Sequence, residues 1–376
     1  MLLLAIPLCM NAQVKPTKPE KEQPKAKAEK VEKEKPDRPD RPMKPGKDEP
    51  KGGAYMPKIS GFVQGMYQAN LNDEGELKDN TFRMRRVRLS VDGKLSPKVS
   101  YKLQGDFTRS PMLVDAYVKY KACNAFAVQV GQFKTPFTIE SPINPVNLEI
   151  FDYGEIIQQL GGYKDVCGVG GLGRDIGVMF TGDLFPVKDK DYSIVNYAVG
   201  VFNGNGPTTT DNNNRKDIVG RLEVHPGLKD LTLSGSYYYG NYFKDDVNCG
   251  VRNRWAAGAQ YNDGKLVLRG EYISGQTGKD NFGLDVPNYY TSNGYYAQAG
   301  YYFALGKDKS QKLMPVLRYE HFTADDAVVD GGTNWYTAGI NYWPLKSINF
   351  KLDYSLVQKE SGTNSHRVVG ILSYKF

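Results

Sequence analysis

The stretch "FRMRRVRLSVDGKL", Phe82–Leu95, places four arginines within six residues and then alternates Val87, Leu89 and Val91 with polar neighbours. Alternation with a period of two is the pattern of a strand that has one apolar face and one polar face. A soluble sheet would set the apolar face on a core and the polar face toward water. Here the polar face is strongly basic, so the strand needs an environment that accepts grease on one side and charge on the other.

The same period recurs from residue 56 to the end. "INFKLDYSL" sets Ile348, Phe350, Leu352, Tyr354 and Leu356 against Asn349, Lys351, Asp353 and Ser355. The pattern predicts sixteen strands, near 58–69, 82–95, 99–108, 113–120, 126–134, 175–182, 193–202, 217–224, 231–241, 253–261, 266–274, 293–303, 313–322, 334–342, 348–357 and 366–376. Tight joints such as "NDGK", with its Asp-Gly hairpin signal, alternate with long polar stretches such as "NGNGPTTTDNNNRK". Short turns on one side and long loops on the other, with an even strand number, predict an all-β transmembrane antiparallel barrel whose turns are periplasmic and whose loops are extracellular. Strand direction then sorts the apolar-face aromatics. Tyr101, Tyr120, Phe126 and Tyr374 fall at one end, Phe107, Tyr237, Trp255 and Tyr354 at the other, with aliphatic residues such as Leu89, Val128 and Leu352 between them. Two aromatic girdles around an aliphatic band match the two interfaces of a bilayer. No apolar run reaches the roughly 18 residues of a membrane helix.

Composition agrees. The chain has 376 residues with 40 Gly and 26 Tyr, a usage that suits strands and turns better than helices. "MLLLAIPLCMNAQ" reads as an export signal, residues 1–12; it lacks a basic leading segment, which points to a start further upstream or a misassigned one. Residues 13–55 are rich in Lys, Glu and Pro and read as a disordered periplasmic tail. The stretch 14–52 holds 13 Lys or Arg and 9 Asp or Glu, so this tail supplies much of the chain's +7 charge. The basic balance is therefore no argument for nucleic acid; a spacer role or contact with peptidoglycan accounts for it.

Candidate chemistry is sparse. The 3 histidines are scattered and form no arrangement with Ser and an acid. Gly168, Gly170 and Gly173 match the dinucleotide fingerprint by letter, but strands rather than a strand–helix–strand unit surround them. Neither a cofactor nor a metal is expected, and no enzymatic activity. Cys167 and Cys249 both fall on the extracellular side, where a disulfide between them is an open alternative to free thiols.

"RMRRVRLSVDGKLSPKVSYKLQGDF", "LVDAYVKYK", "VQVGQFKTPFTIES" and a closing "HRVVGILSYKF" that ends on Phe together resemble the phosphate-selective porin O and P family, over roughly residues 56–376. The resemblance implies a sixteen-stranded channel in the outer membrane of a Gram-negative bacterium. It also implies passive diffusion of small hydrophilic solutes, trimeric assembly, and in some members basic rows that favour phosphate.

The inward phase defines candidate pore-lining and anion-binding residues: Arg86, Arg88, Lys102, Lys119, Lys134, Arg221, Arg269, Arg318 and Arg367. Guanidinium groups recognise oxyanions through charge-assisted bonds. Against a pure basic ladder stand the acids two residues on: Glu223 after Arg221, Glu271 after Arg269 and Glu320 after Arg318. These would brace the wall instead. Arg83 and Arg85 fall in the lipid phase by simple alternation, at the outer interface, where an arginine costs about 0–1 kcal/mol. The connection near 135–174 is too long for a simple surface loop. It is expected to fold into the barrel as a constriction, with a short helix in "NLEIFDYGEIIQQL". The alternative function is a plugged barrel that anchors the envelope or binds a partner.

Overall fold

The computed structural model describes residues 56–244, 248–279, 288–307 and 309–376. The expected signal and tail, residues 1–55, lie outside them. Sixteen strands follow in chain order: β1 (Lys58–Leu71), β2 (Leu77–Ser96), β3 (Val99–Asp106), β4 (Leu113–Cys123), β5 (Phe126–Lys134), β6 (Arg174–Pro186), β7 (Ser193–Phe202) and β8 (Asp217–Val224). They continue with β9 (Leu231–Tyr239, resuming as Asn241–Lys244), β10 (Asn248–Asn262), β11 (Leu266–Lys279), β12 (Asn288–Tyr301, resuming as Phe303–Leu305), β13 (Gln311–Thr323), β14 (Gly332–Leu345), β15 (Ile348–Lys359) and β16 (Ser365–Lys375). Each pairs antiparallel with its neighbours, and β1 pairs with β16 from Phe62 opposite Lys375 to Leu71 opposite His366, which closes the barrel.

Closure removes the sheet edges, the only way a sheet can satisfy its backbone in lipid. Phe376 completes the seam: Gly61 and Phe376 exchange backbone hydrogen bonds at 2.9 and 3.0 Å. A Cβ on residue 61 would lie 2.6 Å from the Phe376 ring, so only glycine fits there.

The burial pattern inverts that of a soluble protein. On β15 the polar residues Asn349, Lys351, Asp353 and Ser355 are buried, while Phe350, Leu352 and Tyr354 are about half exposed. Apolar residues facing outward and polar residues covered on the inside are the signature of a wall solvated by lipid.

A β-bulge corrects the expectation for Arg83 and Arg85. Gln64 pairs with Arg86 but Gly65 pairs with Met84, so Arg85 is the extra residue. One inserted residue reverses the facing of everything beyond it. Arg83 therefore stands opposite the lumen-facing Met66 and donates to Gln68 at 3.4 Å, while Phe82 and Met84 take the outer face. Arg85 itself turns inward and is buried. Neither arginine is placed to meet lipid.

Candidate functional site: the lumen and its inward loop

Residues 135–173 connect β5 to β6 and run inside the barrel. Pro145–Asn147 form a single 3-10 turn, and Glu155–Leu160 form the helix α1. Good helix formers fill α1, and Gly162, with φ +79°, takes the left-handed position just beyond its end. Phe137, Ile143, Leu148, Ile156, Ile157 and Leu160 pack against wall side chains that include Phe202, Val219, Tyr238, Ile273, Tyr296 and Phe322. The lumen thus contains a hydrophobic core, built half from the loop and half from inward-facing wall positions. Burying an aliphatic or aromatic side chain of this size stabilises by about 1.5–3 kcal/mol relative to exposure.

Four loop carboxylates fasten this core to arginines of the wall. Glu140 meets Arg318 of β13. Glu149 makes a two-pronged contact with Arg269 of β11 at 2.9 and 3.1 Å and accepts from Gln298 at 2.9 Å. Asp152 lies 2.6 Å from Arg85 and 3.0 Å from Arg86 of β2. Asp165 bonds Arg254 of β10 through both oxygens and lies 3.1 Å from Arg252. Backbone groups add further links. Ile139 N–H donates to Glu271 at 2.9 Å and Ile156 N–H to Glu320 at 2.5 Å, while Arg254 donates to the Leu160 carbonyl at 2.7 Å.

Burial alone would push the carboxyls of Asp152 and Asp165 up. The paired arginine charges overcome it and hold both well below the usual carboxylate range. Next to Asp165, Cys167 is a free thiol, so it is not paired with Cys249, and burial pushes it up to about 11. Gly168, Gly170 and Gly173 belong to the end of the inward loop, where Lys164 and Gly170 form an isolated bridge.

Six of the nine expected site residues touch this loop. Arg86, Arg269 and Arg318 meet its carboxylates. Lys134 donates to the carbonyls of Ser141 and Ile143 and to the Tyr153 hydroxyl, and Arg221 donates to the Thr138 carbonyl. Arg367 lies over the Phe151 ring at 4.4 Å. Arg88 instead pairs with Asp106 of the wall at 2.9 Å and Lys102 with Asp92 at 3.5 Å. Lys119 is half-buried on β4. The sequence reading missed Arg85, Arg252 and Arg254, and all four loop acids. Arg254 was legible: it precedes the outward aromatic Trp255, so alternation turns it inward.

A closed sixteen-stranded barrel with a lipid-facing aliphatic band and a long inward third loop defines an outer-membrane porin. The sequence matches the profile of the family described as phosphate-selective porin O and P over residues 58–250 and 241–374, and the chain belongs to that family. Solved structures of the same fold include an anion-selective porin from Comamonas acidovorans, at 14% identity and a TM-score of 0.63 over 86% of this chain and 100% of that one. The outer-membrane channel DcaP of Acinetobacter baumannii follows at 15% identity and 0.62, over 86% and 97%. A trimer form of OmpT from Vibrio cholerae aligns at 12% identity and 0.58, over 86% and 100%. The search of curated proteins finds no match.

Proposed function

We propose that this porin lets small hydrophilic solutes diffuse passively across the outer membrane of a Gram-negative bacterium, with a modest preference for anions, and that the inward loop constricts the path. The carrying observation is the guanidinium cluster at Asp152, the one partly exposed carboxylate of the four, where Arg85 and Arg86 pair with it and Arg367 lies over the neighbouring Phe151 ring. Strict phosphate selectivity is not part of the reading, because Arg86, Arg269 and Arg318 are already engaged by carboxylates. Trimeric assembly, contact with outer-membrane lipid, and attachment of residues 13–55 to peptidoglycan belong to the same proposal.

A second reading is a barrel whose lumen is plugged and which serves as an envelope anchor. It is favoured by one observation: the inward loop forms a continuous apolar core with the wall. Planar-bilayer recordings separate the two. Discrete conductance steps are expected, with reversal potentials in a salt gradient displaced toward anions. Absence of steps would leave the anchor reading, and a cation-selective reversal potential would end the anion preference.

A further inference from the structure

Of the four carboxylates that fasten the inward loop, one differs from the rest. The Asp152 side chain is 23% exposed, against 0% for Glu140, 5% for Glu149 and 0% for Asp165. It is also shared by two cations, Arg85 and Arg86, and a third stands close by. Arg367 lies over the same Phe151 ring that Arg85 approaches at 5.6 Å, and its Nε has no hydrogen-bond partner among the described residues. Two guanidinium groups thus hold one partly exposed carboxylate in mid-loop, and a third lies over the adjoining Phe151 ring with Glu155 and Asp152 as its leading acidic neighbours. Any anion reaching this point competes with a carboxylate that the protein itself supplies.

We infer that Asp152 is a selectivity-determining residue: a built-in counter-ion that occupies Arg85 and Arg86 and keeps the channel's anion preference low. The reasoning is one of exchange. A carboxylate and a permeating oxyanion offer the same acceptor geometry to a guanidinium fork, so the tethered one lowers the occupancy of the free one. Exposure makes the exchange feasible at Asp152. This inference rests on the channel reading above.

The test uses the full-length protein with Asp152→Asn and Asp152→Glu, refolded or extracted in detergent. Reversal potentials should move toward anions in Asp152→Asn by about threefold or more in permeability ratio, the size expected of one charge a few ångströms from a hydrated path. Single-channel conductance should stay near that of the parent, which separates lost counter-charge from a displaced loop. Asp152→Glu should restore the parent ratio. Calorimetric titration with sulfate supplies a readout that needs no conduction, and Asp152→Asn should bind sulfate more tightly. Unchanged permeability ratio and unchanged sulfate affinity overturn the assignment. Tighter sulfate binding in a protein that never conducts upholds the assignment and sinks the channel reading instead.

Discussion

Asp152 and Asp165 do the same thing at two places on one loop, and the difference between them is water. Each carboxylate holds two arginines of the wall, Arg85 and Arg86 in the first case and Arg252 and Arg254 in the second. Asp165 is fully covered, its partners are covered too, and the contact also fixes the Cys167 amide at 3.1 Å. Asp152 is partly wet, although its partners Arg85 and Arg86 are covered as well. In a dry site the attraction is strong, but so is the cost of desolvating three charges, and the balance holds only while every partner is present. In a wet site both terms shrink and the contact can open. One clamp is therefore structural and the other is suited to exchange.

Breaking the dry clamp should have the largest effect. Asp165→Asn leaves Arg252 and Arg254 with less than their share of negative charge in a buried setting, and losses of about 3–5 kcal/mol follow from stranding a buried ion-pair partner. Cys167 supplies the readout, because it is 4% exposed and its thiol is held protonated. The parent protein should resist alkylation at pH 8, whereas Asp165→Asn should label at a rate approaching that of the unfolded chain. Equal labelling rates would show that the clamp does not hold the loop.

Leu160→Ala, which removes a fully buried side chain from the core beside the same clamp, should cost about 2–5 kcal/mol. Thermal unfolding in detergent would measure it. Arg85→Gln at the other clamp should cost less, about 1–3 kcal/mol, since Arg85 is covered but Arg86 remains and the carboxylate keeps access to water. A larger loss there than in Leu160→Ala would erase the distinction between the two ends of the loop.

Much of this architecture is legible in the amino-acid sequence. Strands β7 and β8 run as the alternation predicts, and β15 presents each expected residue to the expected side. Strand ends were less legible. β2 begins at Leu77 rather than near Phe82 because its hairpin with β1 continues past the membrane, where no apolar band is required. The bulge at Arg85 was invisible, since alternation carries no mark of an inserted residue. Partner choice was read in part. Arg221 and Arg318 lie 3.3 Å from Glu223 and Glu320, the acids two residues on, but Arg269 turns to Glu149 while Glu271 receives the Ile139 amide. A one-dimensional pattern shows which side chains enter the lumen. It does not show what a 39-residue loop will bring to meet them.

The smallest effect should come from mild acid, and it bears on both clamps at once. The carboxyls of Asp152 and Asp165 are lowered in the folded protein. Their contribution to loop docking is thus complete above the unfolded value of about 4, and it is lost only as pH falls through the lower folded values. Between pH 8 and pH 5 the two clamps themselves should therefore contribute no change to amide protection in segments 148–153 and 163–168, measured by exchange corrected for intrinsic rate. Below about pH 4 the two segments should part company. Protonation reaches Asp152 first, because its carboxyl is partly exposed to water, whereas the carboxyl of Asp165 is fully covered between two covered guanidinium groups. Segment 148–153 should lose protection at a higher pH than segment 163–168, and the reversal potential should move toward anions over the same interval. Simultaneous loss in both segments would mean that burial, and not access to water, is equal at the two ends, and the comparison between the clamps would fail.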